Sequence, residues 1–373
     1  MARLSRAEVI DPNEVTVVHV INRTVRRCFL LGDDPVSGKN FDHRKVWIET
    51  LLEQFAAHFG IDLLAFSLLS NHYHLILRTR PDVVANWDDT EVARRWLMIC
   101  PIRRCHGKDS EPTEADLNSI RNCPVKLAQA RERLSSVSWW MRLLNQRIAQ
   151  RANREDETPG RFWQDRFRAI RLIDEESLLA CAAYVELNPI RAALAETLED
   201  SDYTSIQRRI ESELQTKGQT PTASVAIDDD SQDSQANSSA AKPPSGERRD
   251  AFLAKLTMDE AKDPIGVVAS QTGRRCSDKG FLAMNSETYF ELLDWTARKL
   301  VPGKQGSTPR ETPPVLKRLG PRATSWCELV TSFEDAFCHV AGRCDRVDSS
   351  RSHCTRRRFR VRSLARQLLP APL

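Results

Sequence analysis

No run in the 373-residue chain approaches the roughly 18 consecutive apolar residues that a membrane-spanning helix needs. The first residues, MARLSRAEVIDPNEV, also lack the apolar core of a secretory signal, so the expectation is a cytoplasmic protein. Its ten cysteines include no Cys-x-x-Cys pair, which fits reduced thiols better than a disulfide framework. Two looser groups, Cys100, Cys105, His106 and Cys123, then Cys338, His339, Cys344, His353 and Cys354, lack the close paired spacing typical of zinc ligands. Buried or indifferent thiols are the better reading of both. Tyrosine is scarce: Tyr73, Tyr184, Tyr203 and Tyr289 are the only four, so any tyrosine chemistry must draw on them.

The composition that remains, 40% apolar and 28% charged with a net charge of +4, is globular but diluted, and the length suggests two folded regions and a linker. Charge is unevenly spread. Seven arginines and no acidic residue lie between Arg351 and Arg366. RFWQDRFRAIR, residues 161–171, interleaves four arginines with Phe162, Trp163 and Phe167. Both are candidate phosphate-contacting surfaces, and aromatic interleaving makes the second the stronger.

Residues 15–31, VTVVHVINRTVRRCFLL, predict a strand running into a second extended piece. DHRKVWIETLLEQFAAHFG follows as a helix, capped by Asp42 and stopped at Gly60. AFSLLSNHYHLIL, residues 65–77, reads as one buried strand. Residues 81–100 are helical, and 101–134 form a polar, partly helical insertion. A helix from 135 to 154 carries Val137, Trp140, Met141, Leu144 and Ile148 on one stripe. The 161–171 stretch predicts a further strand. DEESLLACAAYVELNPIRAALAE gives a helix with Asp174 at its start and a break or kink at Pro189. Residues 1–210 thus read as one domain, 211–248 as a Ser-, Asp- and Pro-rich disordered linker, and 249–373 as a small helical accessory region with a basic tail.

Strand side chains alternate faces, so His72 and His74 point one way while Tyr73, Leu75 and Leu77 point the other. Two imidazoles on one face, with roughly 7 Å between their strand positions, can converge on one cation. Alone they are equally a hydrogen-bonded pair at a sheet surface. Among the tyrosines, Tyr184 stands four residues before Asn188 in AYVELNPIRA. In a helical turn the phenol and carboxamide share a face, which lets Asn188 complete a metal shell while Tyr184 points at whatever the metal polarises.

NHYHLIL resembles the His-hydrophobic-His motif of HUH endonucleases. The ordered set NHYH, GRFWQDRF and AYVELNPIRA closely resembles REP-associated tyrosine transposases of the single-tyrosine superfamily, over roughly residues 15 to 210. Relaxases place their tyrosine ahead of the histidine motif, but no tyrosine precedes His72. Replication initiators often carry a tyrosine pair, whereas Tyr184 stands alone.

The resemblance implies an α+β fold, a ferredoxin-like or RRM-like antiparallel sheet with helices on one side, acting on hairpin-forming single-stranded DNA. It implies Mg or Mn held by His72, His74 and Asn188, and Tyr184 as a nucleophile that forms a 5′-phosphotyrosine and frees a 3′-hydroxyl. Arg161, Trp163, Arg166, Arg168 and Arg23 are candidate DNA contacts; His19 reads as a structural histidine. Location at the nucleoid goes with a DNA substrate, and relatives of both dimeric and monomeric habit leave a homodimer open. Two competing readings stand beside this one: a non-catalytic RRM-like nucleic-acid-binding protein, and a metal-dependent hydrolase with no need of Tyr184.

Overall fold

The computed structural model describes residues 10–102, 111–216, 218, 248–259, 267–300, 316, 323–351 and 361–370. Its centre is a five-stranded sheet in the order β2-β3-β1-β4-β5. The strands are β1 (Val17–Arg23), β2 (Ile61–Leu68), β3 (His72–Thr79), β4 (Arg168–Leu172) and β5 (Val340–Ala341). β1 pairs antiparallel with both β3 and β4, and β5 adds in parallel to β4.

The stretch at 65–77, expected as one strand, is a hairpin. Leu69 N–H donates to the His72 carbonyl at 2.9 Å, and the polar Ser70–Asn71 pair turns the chain. The histidines therefore open a strand instead of sitting inside one. The extended piece expected after β1 is also replaced, by a 3-10 turn over Val25–Arg27. Arg26 and Arg27 there take φ of 52° and 59°, and Thr24 Oγ1 ties the turn to the Cys28 and Asn71 carbonyls at 2.6 and 3.0 Å. Of the strand expected over 161–171, only the part from Arg168 onward is one. Trp163 forms an isolated bridge with Thr24 just before it.

Between β1 and β2 runs α1 (His43–His58); between β3 and β4 run α2 (Pro81–Ala85), α3 (Asp89–Ile99), α4 (Glu114–Arg121), α5 (Pro124–Leu134) and α6 (Val137–Glu155). The helix expected over 81–100 is split because Asp88 starts α3 afresh, accepting from Glu91 N–H at 2.7 Å. Asp42 precedes α1 without making a cap bond; it pairs with Lys45 at 2.7 Å. Gly60 ends the α1 connection for lack of space: a Cβ there would lie 2.0 Å from Val84 Cγ2. The α6 stripe Val137, Trp140, Met141, Leu144 and Ile148 is buried as expected, packing with α1 against Val18, Val20, Tyr73, Leu75 and Leu77.

Helices cover the opposite face too, which corrects the expectation of helices on one side. α7 (Glu175–Glu186), begun by Asp174 accepting from Ser177 N–H at 2.9 Å, lies there. It continues through Leu187 into α8 (Asn188–Arg191), and α9 (Ser205–Thr216) runs past the expected boundary at 210. The last third supplies α10 (Ser286–Leu300), α11 (Ala323–Thr331), α12 (Phe333–Ala336), α13 (Cys344–Arg351) and α14 (Ser363–Leu368). These helices are continuous with the first part. Tyr289, Leu293, Trp326 and Phe333 share one core with Leu179 and Val185 of α7, with Leu187 just after it, and with Ile76 and Ile170 of the sheet. The apolar surface of α7 and of that sheet face is what these helices bury.

The expected linker falls largely outside the described residues, as do Cys105, His106, His353, Cys354 and residues 352–360 of the arginine tail. The described cysteines are free thiols. Among the described residues no helix is long and apolar enough to cross a membrane.

Candidate functional site

Register places the site. Across β1, β3 and β4, Arg23 opposes His72, Ile21 opposes both His74 and Arg168, and His19 opposes both Ile76 and Ile170. Directly opposed residues share a face, so His72, His74, His19, Arg23 and Arg168 all lie on the side that α7 covers. Tyr73 lies on the other, its hydroxyl donating to Asn145 Oδ1 at 2.5 Å.

The two motif histidines meet edge to face, ring centroids 4.9 Å apart. His72 Nδ1 is held by Asn71 Oδ1 at 2.6 Å. His74 Nδ1 is 3.0 Å from His19 Nε2. His74 Nε2 has no hydrogen-bond partner among the described residues. Burial, then Arg23, holds the His72 pKa down to about 4. Burial, reinforced by His72 and His19, holds His74 well below the ordinary histidine value. Both rings are neutral at neutral pH, as metal ligands must be.

α7 brings Tyr184 onto this pair. Its ring stands edge-on to His74 at 5.4 Å and to His19 at 5.9 Å. The phenol is 7% exposed, and burial, followed by the nearby Glu334, raises its pKa. Asn188 opens α8 one turn further on, with a buried amide nitrogen that lacks a partner among the described residues. Arg191 lies over the Tyr184 ring, 4.9 Å from its centroid.

Glu334 of α12, 150 residues further along the chain, completes the cluster. It accepts the Tyr184 hydroxyl at 2.7 Å and contacts Arg23 at 3.3 Å and Arg168 at 3.2 Å. Burial alone would raise its pKa, but the Tyr184 hydroxyl, His19, Arg23 and Arg168 outweigh it and keep the carboxylate below its usual range. Sequence reading missed Glu334, because SFEDAF reads only as a helix with acidic residues on its surface. His19, read from the sequence as a structural histidine, is fully buried and lies on the histidine face because register pairs Ile21, two residues on, with His74.

The other candidate DNA contacts separate. Arg161 and Arg166 are exposed. Trp163 is half-buried, donating Nε1–H to the Asn145 carbonyl at 2.9 Å and standing edge-on to Tyr73. Phe162 and Phe167 are core residues. Arg161, Trp163 and Arg166 border a groove of about 720 Å³ shared with Trp139, Arg142 and Asn145. Arg23 and Arg168 belong instead to the tyrosine-histidine cluster.

Among the described residues no group of three or more His, Cys, Asp or Glu side chains is arranged to hold a metal ion. The neutral pair His72 and His74, with the open Nε2 of His74, has nitrogen donors a divalent cation accepts, and a ligand from Asn188 would have to be its amide oxygen, since the unpartnered NH2 only donates hydrogen bonds. The remaining positions would fall to substrate oxygens.

Neither a protein-family model nor a curated protein matches the sequence. One solved structure, a REP-associated tyrosine transposase bound to a REP hairpin, aligns at 13% identity over 64% of this chain and 100% of that chain, with a TM-score of 0.33. That score is too low for a shared fold to be read from it, and the functional reading rests on the residues themselves.

Proposed function

We propose that the chain is a transposase-like strand transferase that cleaves and rejoins single-stranded, hairpin-forming DNA through Tyr184. The observation that carries this reading is the meeting of Tyr184 with His74, ring centroids 5.4 Å apart. The two motifs, over a hundred residues apart in sequence, converge on one buried patch flanked by arginines. The strand order β2-β3-β1-β4 is consistent with the ferredoxin-like arrangement implied by the motif resemblance.

His72, His74 and Asn188 would hold Mg or Mn. Bound there, the cation supplies charge neutralisation for a non-bridging oxygen of the scissile phosphate. Arg23 and Arg168 add fixed positive charge beside the phenol, favouring an approaching phosphate. The Tyr184 oxygen attacks phosphorus, the 3′ oxygen leaves and takes a proton, and the phosphotyrosine conserves the ester for rejoining. Since burial keeps Tyr184 protonated at rest, its proton must leave as the new bond forms. Arg161, Trp163 and Arg166 would hold flanking nucleotides, and a DNA substrate makes the cytoplasm and nucleoid the place of action.

The test is incubation of labelled single-stranded hairpin DNA with the protein and manganese, followed by a denaturing gel. A covalent adduct lost in Tyr184→Phe supports the transferase; cleavage that persists in Tyr184→Phe sinks it, and cleavage without an adduct points to hydrolysis. The groove beside Trp139 and Trp163 favours the second reading, a nucleic-acid-binding module, which predicts tight binding and no cleavage with any metal.

A further inference from the structure

The carboxylate of Glu334 lies directly against the Tyr184 hydroxyl. One oxygen accepts the Tyr184 hydroxyl at 2.7 Å and lies 4.0 Å from His74 Nε2. The other is 3.3 Å from an Arg23 nitrogen and 3.2 Å from an Arg168 nitrogen. A delocalised anion shared between a phenol and two guanidinium groups is the contact set that the non-bridging oxygens of a phosphate diester also satisfy.

The neighbouring residues close the same place. Phe333 stacks on Tyr184 with centroids 5.8 Å apart and rings 26° from parallel, and it meets His19 edge-on at 5.9 Å. Arg191, beside the Tyr184 ring, donates to the Thr331 carbonyl at 2.9 Å. Asp335, next in sequence, faces solvent, and its carbonyl accepts from Arg362. His74 is fully buried beneath this cover and Tyr184 nearly so.

We propose that Tyr184, Arg23 and Arg168 form a phosphodiester subsite, and that residues 331–337 occupy it from within the chain, with the Glu334 carboxylate in the phosphate's place. Single-stranded DNA then enters only when this segment is displaced, and the last third of the chain acts as a built-in competitor for substrate. The proposal rests on Tyr184 as the reacting residue. A direct catalytic role for Glu334 fits less well, because a carboxylate in that position excludes the phosphate that Tyr184 must reach.

The experiment compares the full chain with Glu334→Ala, Glu334→Gln and Asp335→Ala in two measurements. The first is affinity for fluorescein-labelled single-stranded DNA of randomised sequence, read by anisotropy. The second is covalent adduct formed on a randomised hairpin pool with manganese. Both Glu334 variants are expected to bind about tenfold tighter, the scale of one competing charge-assisted contact, and to form more adduct. Asp335→Ala, which removes an equal charge from the solvent side, should change neither. Glu334→Gln keeps the side chain's shape if the alanine loosens the segment. Binding no tighter than the parent in both Glu334 variants overturns the proposal, and adduct lost at unchanged affinity assigns Glu334 instead as a proton acceptor for Tyr184. Tighter binding with no adduct in any variant upholds the occupied subsite while removing the transferase reading.

Discussion

His19 Nε2 and His74 Nδ1 lie 3.0 Å apart between rings set edge to edge, 5.2 Å from centroid to centroid and 16° from parallel. One proton lies between them, and its side decides what His74 can do. With the proton on His74 Nδ1, the Nε2 lone pair faces the site and can ligate. With it on His19, His74 Nε2 carries hydrogen and cannot. His19 thus acts on the candidate site through His74.

If that arrangement supports metal binding, His19→Ala should lower manganese-dependent adduct formation about 10- to 100-fold and move its manganese requirement upward, with DNA affinity unchanged. His19→Gln, which can still accept a hydrogen bond, should recover part of the loss. An unaltered manganese titration would reduce His19 to packing.

Arg161 and Arg166 are exposed beside the aromatic groove. Replacing either with alanine should weaken single-stranded DNA binding across all sequences and reduce the slope of log affinity against log salt by about 0.7. Slopes indistinguishable from the parent would make them solvated surface arginines with no part in DNA binding.

The fully buried carboxylate of Asp62 is 2.9 Å from Arg78 Nε and 3.5 Å from Arg80 Nη1, and it accepts from Ser277 N–H at 3.0 Å. Ser277 belongs to the last third of the chain, so this one carboxylate ties that part to β2 and β3. Asp62→Ala takes the carboxylate partner from the buried Arg78 and an acceptor from Ser277, while Arg80 keeps Asp82 at 2.7 Å, and chemical denaturation should show a loss of about 3 kcal/mol. Proteolysis within residues 267–300 should quicken in the same variant. A loss below about 1 kcal/mol would show that the arginines find other partners.

His58, away from the candidate site, reports on acid stability. Burial first, then Arg95 and Arg94, lowers its pKa from 6.5 to about 4, with Glu91 opposing. Between those values the unfolded chain binds a proton that the folded chain does not, so stability is complete above about pH 6.5 and declines as pH falls toward 4. His58→Gln should flatten unfolding free energy against pH by about 1 kcal/mol between pH 6.5 and 5, below the full linkage value because the ring keeps some solvent contact. Superimposable pH slopes for parent and variant would refute the shift.

Sequence alone determined the relations that a short backbone period sets. The two-residue strand repeat put His72 and His74 on one face and Tyr73 on the other, and the 3.6-residue repeat picked out the buried stripe of α6. Asp174 marked the start of α7 because its side chain can cap only nearby amides. The Ser70–Asn71 turn was masked by a continuous apolar reading, although 13 residues from 65 to 77 is long for one strand. The positive φ at Arg26 and Arg27 had no glycine to announce it.

Tertiary structure decided which distant groups share the site. Glu334 reaches Tyr184 because Phe333, Ala336 and Phe337 bury beside α7, and their burial carries the intervening carboxylate inward. Hydrophobic burial is non-directional and summed over many residues, so no local pattern in SFEDAF could announce the contact. The motifs thus singled out His72, His74 and Tyr184, while packing of the last third determined that the Glu334 carboxylate meets the Tyr184 hydroxyl.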